Sequence, residues 1–315
     1  MLKDRCVYRI EPICFANVWG GNKLRRYGKA SEADRIGESW ELSFVPGSEA
    51  SVNGVPLSLA FPREAWGTRA SAFPFFPVLT KFIDAREKLS VQVHPSDSSA
   101  LENEGTYGKT EMWYVVEAED GAGLYMGFRR TLTEDEIRRG IADGSIENEL
   151  SFVPVKTGDV FFIPAGTVHA IGAGVLIYEI QQNSTLTYRL YDYGRLGTDG
   201  KPREVHVEKA LKVLNREPYE PITPQRCDTG RVIGSCEYFT AREYTVNGTQ
   251  SFSVTSASFL AINVTEGCGV LSFTDNDGCA VELTANKGDG FFAPACNDTF
   301  TFDVKGTMTV ISTEI

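Results

Sequence analysis

Apolar residues recur along this chain with a spacing of two far more often than three or four. Lys88–Val93, Met112–Ala118, Asp159–Ile163, Val175–Ile180 and Leu186–Tyr191 are short runs rich in Val, Ile, Phe and Tyr. Ser258–Val264, Gly269–Phe273 and Met308–Ile311 repeat the pattern in the last third. Gly, Pro, Asn and Asp bound these runs, which predicts strands of an all-β sandwich or barrel. Two segments keep a helical spacing instead. Thr133-Glu134-Asp135-Glu136 has the form of a capping box, with Thr133 as N-cap, ahead of Ile137–Ala142. His206–Leu214 sets Val207, Ala210, Leu211 and Leu214 on one face. A third helix is expected near Pro62–Ala70. Glu217–Thr229 carries three prolines and little periodicity, so a boundary is expected there.

The chain contains an internal repeat. Gly158–His169 reads GDVFFIPAGTVH and Gly288–Thr299 reads GDGFFAPACNDT, identical at six of twelve positions. Self-similarity of this kind suggests a duplicated β-unit, although G-D-x-F-F-x-P is also a generic hairpin sequence. The spacing G-x5-P-x-G-x2-H resembles the second motif of the cupin superfamily, a small β-barrel or jelly roll. In the second copy Cys296 replaces the later glycine and Thr299 replaces the histidine, so a barrel without a metal is expected there. The predicted fold is therefore mainly β: two cupin-like jelly-roll barrels, a bicupin, with a small helical insertion near 131–150. The expected division is a catalytic domain over 1–225 and a degenerate C-terminal β domain over 226–315.

Composition narrows the function. The chain has 315 residues, 42% hydrophobic and 23% charged, an ordinary globular balance. Its formal net charge of −11 argues against a general nucleic-acid binder, which needs a basic footprint. A small anionic ligand stays possible, because a few local cations suffice to hold one. Seven cysteines, with no C-x-x-C spacing, read as reduced thiols of a cytoplasmic protein. Charged residues interrupt the N-terminal stretch, which has no signal-peptide core. No apolar run reaches the roughly 18 residues of a membrane helix, so no membrane partner is expected.

Only three histidines are present, His94, His169 and His206, so a metal site must recruit other ligand types. In Leu89–Pro95 strict alternation puts Gln92 and His94 on one face and Leu89, Val91 and Val93 on the other. Lys109 and Glu111 share a face of the next strand, and His169 ends the cupin-like motif. Gln92, His94, Glu111 and His169 together offer O, N, O and N donors, a set suited to Zn²⁺ with coordination left for substrate or water. Taken singly, each of these residues is more commonly structural or solvated.

KFIDAREKLSVQVHPSD (Lys81–Asp97), GKTEMWYV (Gly108–Val115), PAGTVHAIGAG (Pro164–Gly174) and YEIQQNSTLTYRLYDYGR (Tyr178–Arg195) resemble the type I phosphomannose isomerase family, most closely its short bacterial form. WGG at Trp19–Gly21, GESWELS at Gly37–Ser43 and GKPREVHVEKAL at Gly200–Leu211 add to the resemblance, which spans about residues 1–215. The resemblance implies interconversion of mannose 6-phosphate and fructose 6-phosphate with one zinc per chain. It carries the metal ligands onto Gln92, His94, Glu111 and His169, with Gln92 the weakest. It carries the catalytic arginine onto Arg189, the active-site lysine onto Lys109 and a further carboxylate onto Glu179, as base or substrate-orienting group. Which group moves the carbon-bound proton stays open. For the substrate phosphate the candidates are Lys109, Lys201 and Arg203, with Ser90 or Ser43 as hydroxyl donors. His206, Trp19 and Trp40 are expected to pack or cap. The competing reading is a non-catalytic sugar-phosphate-binding bicupin, and a metal cupin with oxygenase chemistry is a third. Oligomeric state is not legible.

Overall fold

The computed structural model describes residues 6–197, 200–220, 225–227, 230–275 and 277–315, the last but two of these segments without its side chains. The expected boundary segment at 217–229 therefore lies partly outside the described residues. Strands dominate and helices are few.

The first part of the chain forms two large sheets and a small two-stranded one, Ser51–Val52 with Val55–Pro56. A six-stranded sheet runs in the order Val160–Ile163, Glu111–Ala118, Val175–Gln182, Val78–Ala85, Glu38–Leu42, Ile13–Phe15. A five-stranded sheet runs Leu150–Pro154, Gly123–Phe128, His169–Ile171, Val91–Val93, Tyr188–Tyr191. Adjacent strands in both are antiparallel. Between the sheets lies one apolar cluster, with Trp113, Val115, Ile163 and Ile177 from one sheet and Leu124, Met126 and Ile171 from the other.

Alternation decides which side chain faces which layer. Val175–Gln182 is buried throughout because it is flanked by strands and covered on both faces. Its Val175 and Ile177 enter the inter-sheet cluster, whereas Leu176, Tyr178 and Ile180 face a second core. That second core joins the six-stranded sheet to a nine-stranded sheet built mainly from the last third of the chain. Phe44, Phe76 and Phe82 there meet Phe239, Phe259 and Phe292. The nine-stranded sheet encloses its own core of Phe252, Leu271, Phe291, Phe300 and Phe302. The outer face of the five-stranded sheet is covered by helices, whose Ile137, Ile146, Ala210 and Leu211 pack on Val91, Val93 and Leu190.

Pairing crosses the expected division at 225. Tyr8–Ile10 lies on Gly290–Phe292, so the first described strand belongs to the sheet of the last third.

The helical insertion is present as Glu134–Asp143 and Ile146–Glu149, and the Thr133/Glu136 capping box forms in both directions. The helix expected over 206–214 is the shorter Val207–Leu211. No α-helix forms at 62–70. The segment makes two 3₁₀ turns, Arg63–Trp66 and Ala70–Ala72, separated by Gly67 at φ 89°. A Cβ on Gly67 would meet the Ser258 backbone nitrogen at 2.6 Å, so close packing against the last third breaks the helix.

The two repeated segments share a turn, bond for bond. The Lys156 and Asn286 N–H groups donate to Asp159 and Asp289 carboxylates at 2.9 and 2.8 Å. The Gly158 and Gly288 N–H groups, both at left-handed φ, donate to the carbonyls of Val115 and Val264 at 2.9 and 2.8 Å. In both, the first phenylalanine (Phe161, Phe291) faces the unit's own interior and the second (Phe162, Phe292) faces the shared core. Among the described residues no helix is long and apolar enough to cross a membrane.

Candidate active site and metal centre

Register brings the polar residues together. On the five-stranded sheet, His169 pairs with Gln92 and Gln92 pairs with Arg189, so three polar side chains stand in one cross-strand row. His94 lies two residues beyond Gln92 on the same face. On the six-stranded sheet, Glu179 sits between Trp113 and Lys81, and Lys81 pairs in turn with Trp40. Glu111 lies beside Gln181. These two faces oppose each other.

The centre is a tight triad. Ligand atoms of His94, Glu111 and His169 all lie within 4.8 Å of one another, and all three residues are buried. His94 Nε2 stands 3.4 Å from Glu111 Oε2, and His169 Nε2 stands 3.2 Å from Oε1. Gln92 brings its amide nitrogen within 3.3 Å of His169 Nε2. Each imidazole is anchored from behind. His94 Nδ1 lies 2.9 Å from the Leu186 carbonyl, and His169 Nδ1 lies 2.9 Å from the Thr167 carbonyl. A carbonyl only accepts, so both Nδ1 atoms carry the proton and both Nε2 lone pairs point inward.

A divalent cation fits this donor set. His94 Nε2 and Glu111 Oε1 are buried without a hydrogen-bond partner, and they converge. Burial, and then the nearby Lys109 ammonium, push His94 down to about 3, so its imidazole is neutral at ordinary pH. Burial likewise lowers His169. Burial alone would raise Glu111, but the adjacent Lys109 ammonium holds it well below the usual carboxylate range. Neutral imidazoles and an ionised carboxylate are the forms that bind metal. His94, Glu111 and His169 are the residues that would hold it, with the Gln92 side chain beside them.

Two ammonium groups stand beside the triad. Lys109 Nζ is 2.6 Å from Glu111 Oε2 and 3.6 Å from Glu179 Oε1. Lys81 Nζ is 3.2 Å from the same Glu179 oxygen and 3.5 Å from Glu38 Oε2. Trp113 Nε1 donates to Glu179 Oε2 at 2.8 Å, and Trp40 Nε1 donates to Glu38 Oε2 at 2.7 Å. Glu179 is therefore pinned beneath both lysines, only 3% exposed. Glu38, Glu111 and Glu179 against Lys81 and Lys109 leave one negative charge, which a divalent cation reverses.

Arg189 stands at the end of the Gln92 row, half-buried. Its Nε donates to Ser90 Oγ at 3.3 Å and its Nη1 to the Glu204 carbonyl at 2.7 Å. His206 holds the Arg189 backbone, donating its N–H to the Arg189 carbonyl at 2.6 Å and accepting the Arg189 N–H on Nδ1 at 3.2 Å. Nearby, Arg203 and Arg195 both donate to Asp192, with Arg203 Nε at 2.7 Å and Arg195 Nη2 at 2.7 Å. Two guanidinium groups thus share one aspartate, and Arg189 lies close enough to feel its charge.

Of the residues singled out from sequence, Gln92, His94, Lys109, Glu111, His169 and Glu179 meet at one centre. Arg189, Ser90 and Arg203 form an adjoining cationic patch. Lys201 is exposed, and its carbonyl accepts the Gly197 N–H at 2.7 Å. Ser43 is spent elsewhere, its hydroxyl donating to the Ser48 carbonyl at 2.6 Å. Trp19 packs in the inter-sheet cluster. Sequence reasoning did not single out Glu38, Lys81, Trp113, Asp192 or Arg195. Glu38 and Lys81 fall inside quoted segments, but only cross-strand register shows that they face the site.

No family model matches the chain. Individual relatives do. A mannose-6-phosphate isomerase of Streptococcus mutans is 36% identical over 308 residues, 94% of each chain. Another from Bacillus subtilis is 36% identical over 275 residues, covering 82% of this chain and 85% of that one. The crystal structure of the mannose 6-phosphate isomerase from Bacillus subtilis matches with a TM-score of 0.86 at 32% identity, over 99% of this chain and 100% of that one. A mannose 6-phosphate isomerase bound with zinc and yttrium shares the fold, with a TM-score of 0.76 at 17% identity. With identity above one third across nearly the whole length of both chains, and the same β architecture throughout, this enzyme belongs to the mannose-6-phosphate isomerase family.

Proposed function

We propose that this chain interconverts mannose 6-phosphate and fructose 6-phosphate through an enediolate, using one Zn²⁺ held by His94, Glu111 and His169 with Gln92 at the margin. The observation that carries the reading is the convergence of inward-facing Nε2 atoms on an ionised carboxylate, one of whose oxygens is held by a buried ammonium while the other has no hydrogen-bond partner. When bound, zinc supplies Lewis acidity, polarising a substrate oxygen beside the labile C–H bond. The reaction removes the proton from C2 of the open-chain aldose, leaves charge on the oxygens of C1 and C2, and returns a proton to C1. The Lys109 ammonium, flanked by Glu111 and Glu179, donates to those oxygens and moves the proton between them. Arg189 presents several donors to the oxyanion as charge develops. For Glu179, the contacts support the orienting role over the base: its oxygens hold Trp113, Lys81 and Lys109. Arg203 and Ser90, joined by Lys201, are the proposed phosphate residues, and Arg195 belongs with them.

The finer architecture is part of the same proposal: two cupin-like barrels, a catalytic one over 1–225 and a degenerate one over 226–315. The repeated turn at Gly158 and Gly288 supports it. A cytoplasmic placement is also proposed; Cys6, Cys14, Cys236, Cys268, Cys279 and Cys296 are free thiols, in keeping with a reducing compartment.

The test is a coupled assay on mannose 6-phosphate before chelation, after chelation and after zinc is restored. Activity is expected to vanish and return. Full activity in the stripped protein overturns the reading.

A further inference from the structure

The backbone around Lys109 is fixed at three successive residues. The Gly108 N–H donates to Asp97 Oδ1 at 2.8 Å, the Lys109 N–H to the Pro95 carbonyl at 3.1 Å, and the Thr110 N–H to Gln182 Oε1 at 2.7 Å. Gln182 closes the frame, donating its own N–H to the Thr110 carbonyl at 3.0 Å and its side-chain amide to Asp97 Oδ1 at 3.0 Å. The fit leaves no slack, since a Cβ on Gly108 would lie 2.4 Å from the Pro95 carbonyl oxygen. The second oxygen of Asp97 is taken by the hydroxyl of Tyr238, which comes from the last third of the chain and is 9% exposed.

The same third also backs the metal-bearing strand. Glu111 and Trp113 face the site, while Met112 and Tyr114 face the other way. A Cβ on Gly234 would lie 2.8 Å from the Met112 sulfur, and Tyr114 donates to Glu243 at 2.7 Å. Of these contacts, only the Tyr238 hydroxyl reaches a group bonded directly to the Lys109 backbone frame.

We infer that Tyr238 is a positioning residue for the isomerase reaction: through Asp97 and Gln182, the C-terminal third sets the place of the Lys109 ammonium. This rests on Lys109 facing substrate, as proposed above. The physical basis is that a reacting group held within a fraction of an ångström loses rate steeply when its anchor loosens, whereas substrate affinity, shared among many contacts, changes little.

The test uses the full chain loaded with zinc. Tyr238→Phe removes the hydroxyl and keeps the ring. Asp97→Asn replaces the acceptor that both arms of the frame share. Tyr114→Phe is the control, removing another hydroxyl contact to the same third of the chain. We expect Tyr238→Phe and Asp97→Asn to lower kcat about five- to tenfold, the loss of roughly one hydrogen bond's net worth, with KM within twofold and one zinc per chain retained. Tyr114→Phe is expected to lower thermal stability comparably while kcat stays within twofold. The inference is overturned if the kcat of Tyr238→Phe is no lower than that of Tyr114→Phe. If Tyr238→Phe does not fold, the same comparison with Asp97→Asn decides. An inactive wild-type enzyme, or a Lys109→Met variant with full activity, would instead count against the functional reading itself.

Discussion

The turns entering Val160–Ile163 and Gly290–Ala293 are built from the same hydrogen bonds, yet the interiors they lead into are opposite in character. Beyond the first turn lie Glu111, His94, His169, Lys109 and Glu179, all buried. Beyond the second lie Phe252, Phe291, Phe300 and Phe302, with Phe252 and Phe300 stacked at 5.6 Å. The residue at the histidine's place in the second copy, Thr299, is exposed. Glycine, aspartate and proline shape the backbone, so a repeat can conserve them while one apolar interior takes in a charged centre and the other does not. Burying charges is costly unless they are paired or bound to metal, whereas burying phenylalanine is favourable. One interior is arranged for chemistry and the other for cohesion.

Four substitutions would break or sharpen that contrast. Glu111→Ala removes the carboxylate on which the triad converges. Metal bound per chain should fall below about one tenth, and activity by about 10³-fold or more, since a Lewis acid supplies several kcal/mol. Element analysis of the purified variant checks this, and a full complement of zinc would contradict the ligand assignment. Phe302→Ala opens a cavity in the apolar interior. It should cost about 3–5 kcal/mol in denaturant unfolding while the folded enzyme still binds one metal. A change in metal stoichiometry would mean that the second interior is not merely filled. Arg189→Ala should lower kcat about 10²–10³-fold, by analogy with losing an oxyanion donor, with zinc retained. Near-normal turnover would remove the arginine from the mechanism. Thr133→Ala, in the insertion helix, should cost about 1 kcal/mol of stability and leave kinetics unchanged. Altered kinetics there would tie the insertion to the site.

The triad and its polar neighbours were legible because strand periodicity is local. Alternation alone sets Gln92 with His94 and Lys109 with Glu111, and a spaced motif singles out His169. The capping box at Thr133 was legible for the same reason, since both partners lie within four residues. Lys81 and Glu38 were not, because their meaning comes from neighbours far along the chain. Lys81 stands in an apolar run, and only its pairing with Glu179 and Trp40 turns it into the site. The cluster around Asp192 is local, with Arg195 and Arg203 three and eleven residues away, but no periodicity or motif marks it in the sequence. One strand ends at Gln182 and the next begins at Tyr188 in the facing sheet, so Glu179 and Arg189, ten residues apart, belong to opposing sheets.

The pairing of Tyr8–Ile10 with Gly290–Phe292 has a consequence for how the chain comes to be folded. Synthesis runs from the N-terminus, so this early strand leaves the ribosome with its partner still roughly 280 residues from being made. Until then the apolar face of the six-stranded sheet, with Phe82 and Tyr178, has no lid. The two units cannot mature strictly one after the other. The first remains sticky until the last third arrives and the earliest strand is fastened onto it.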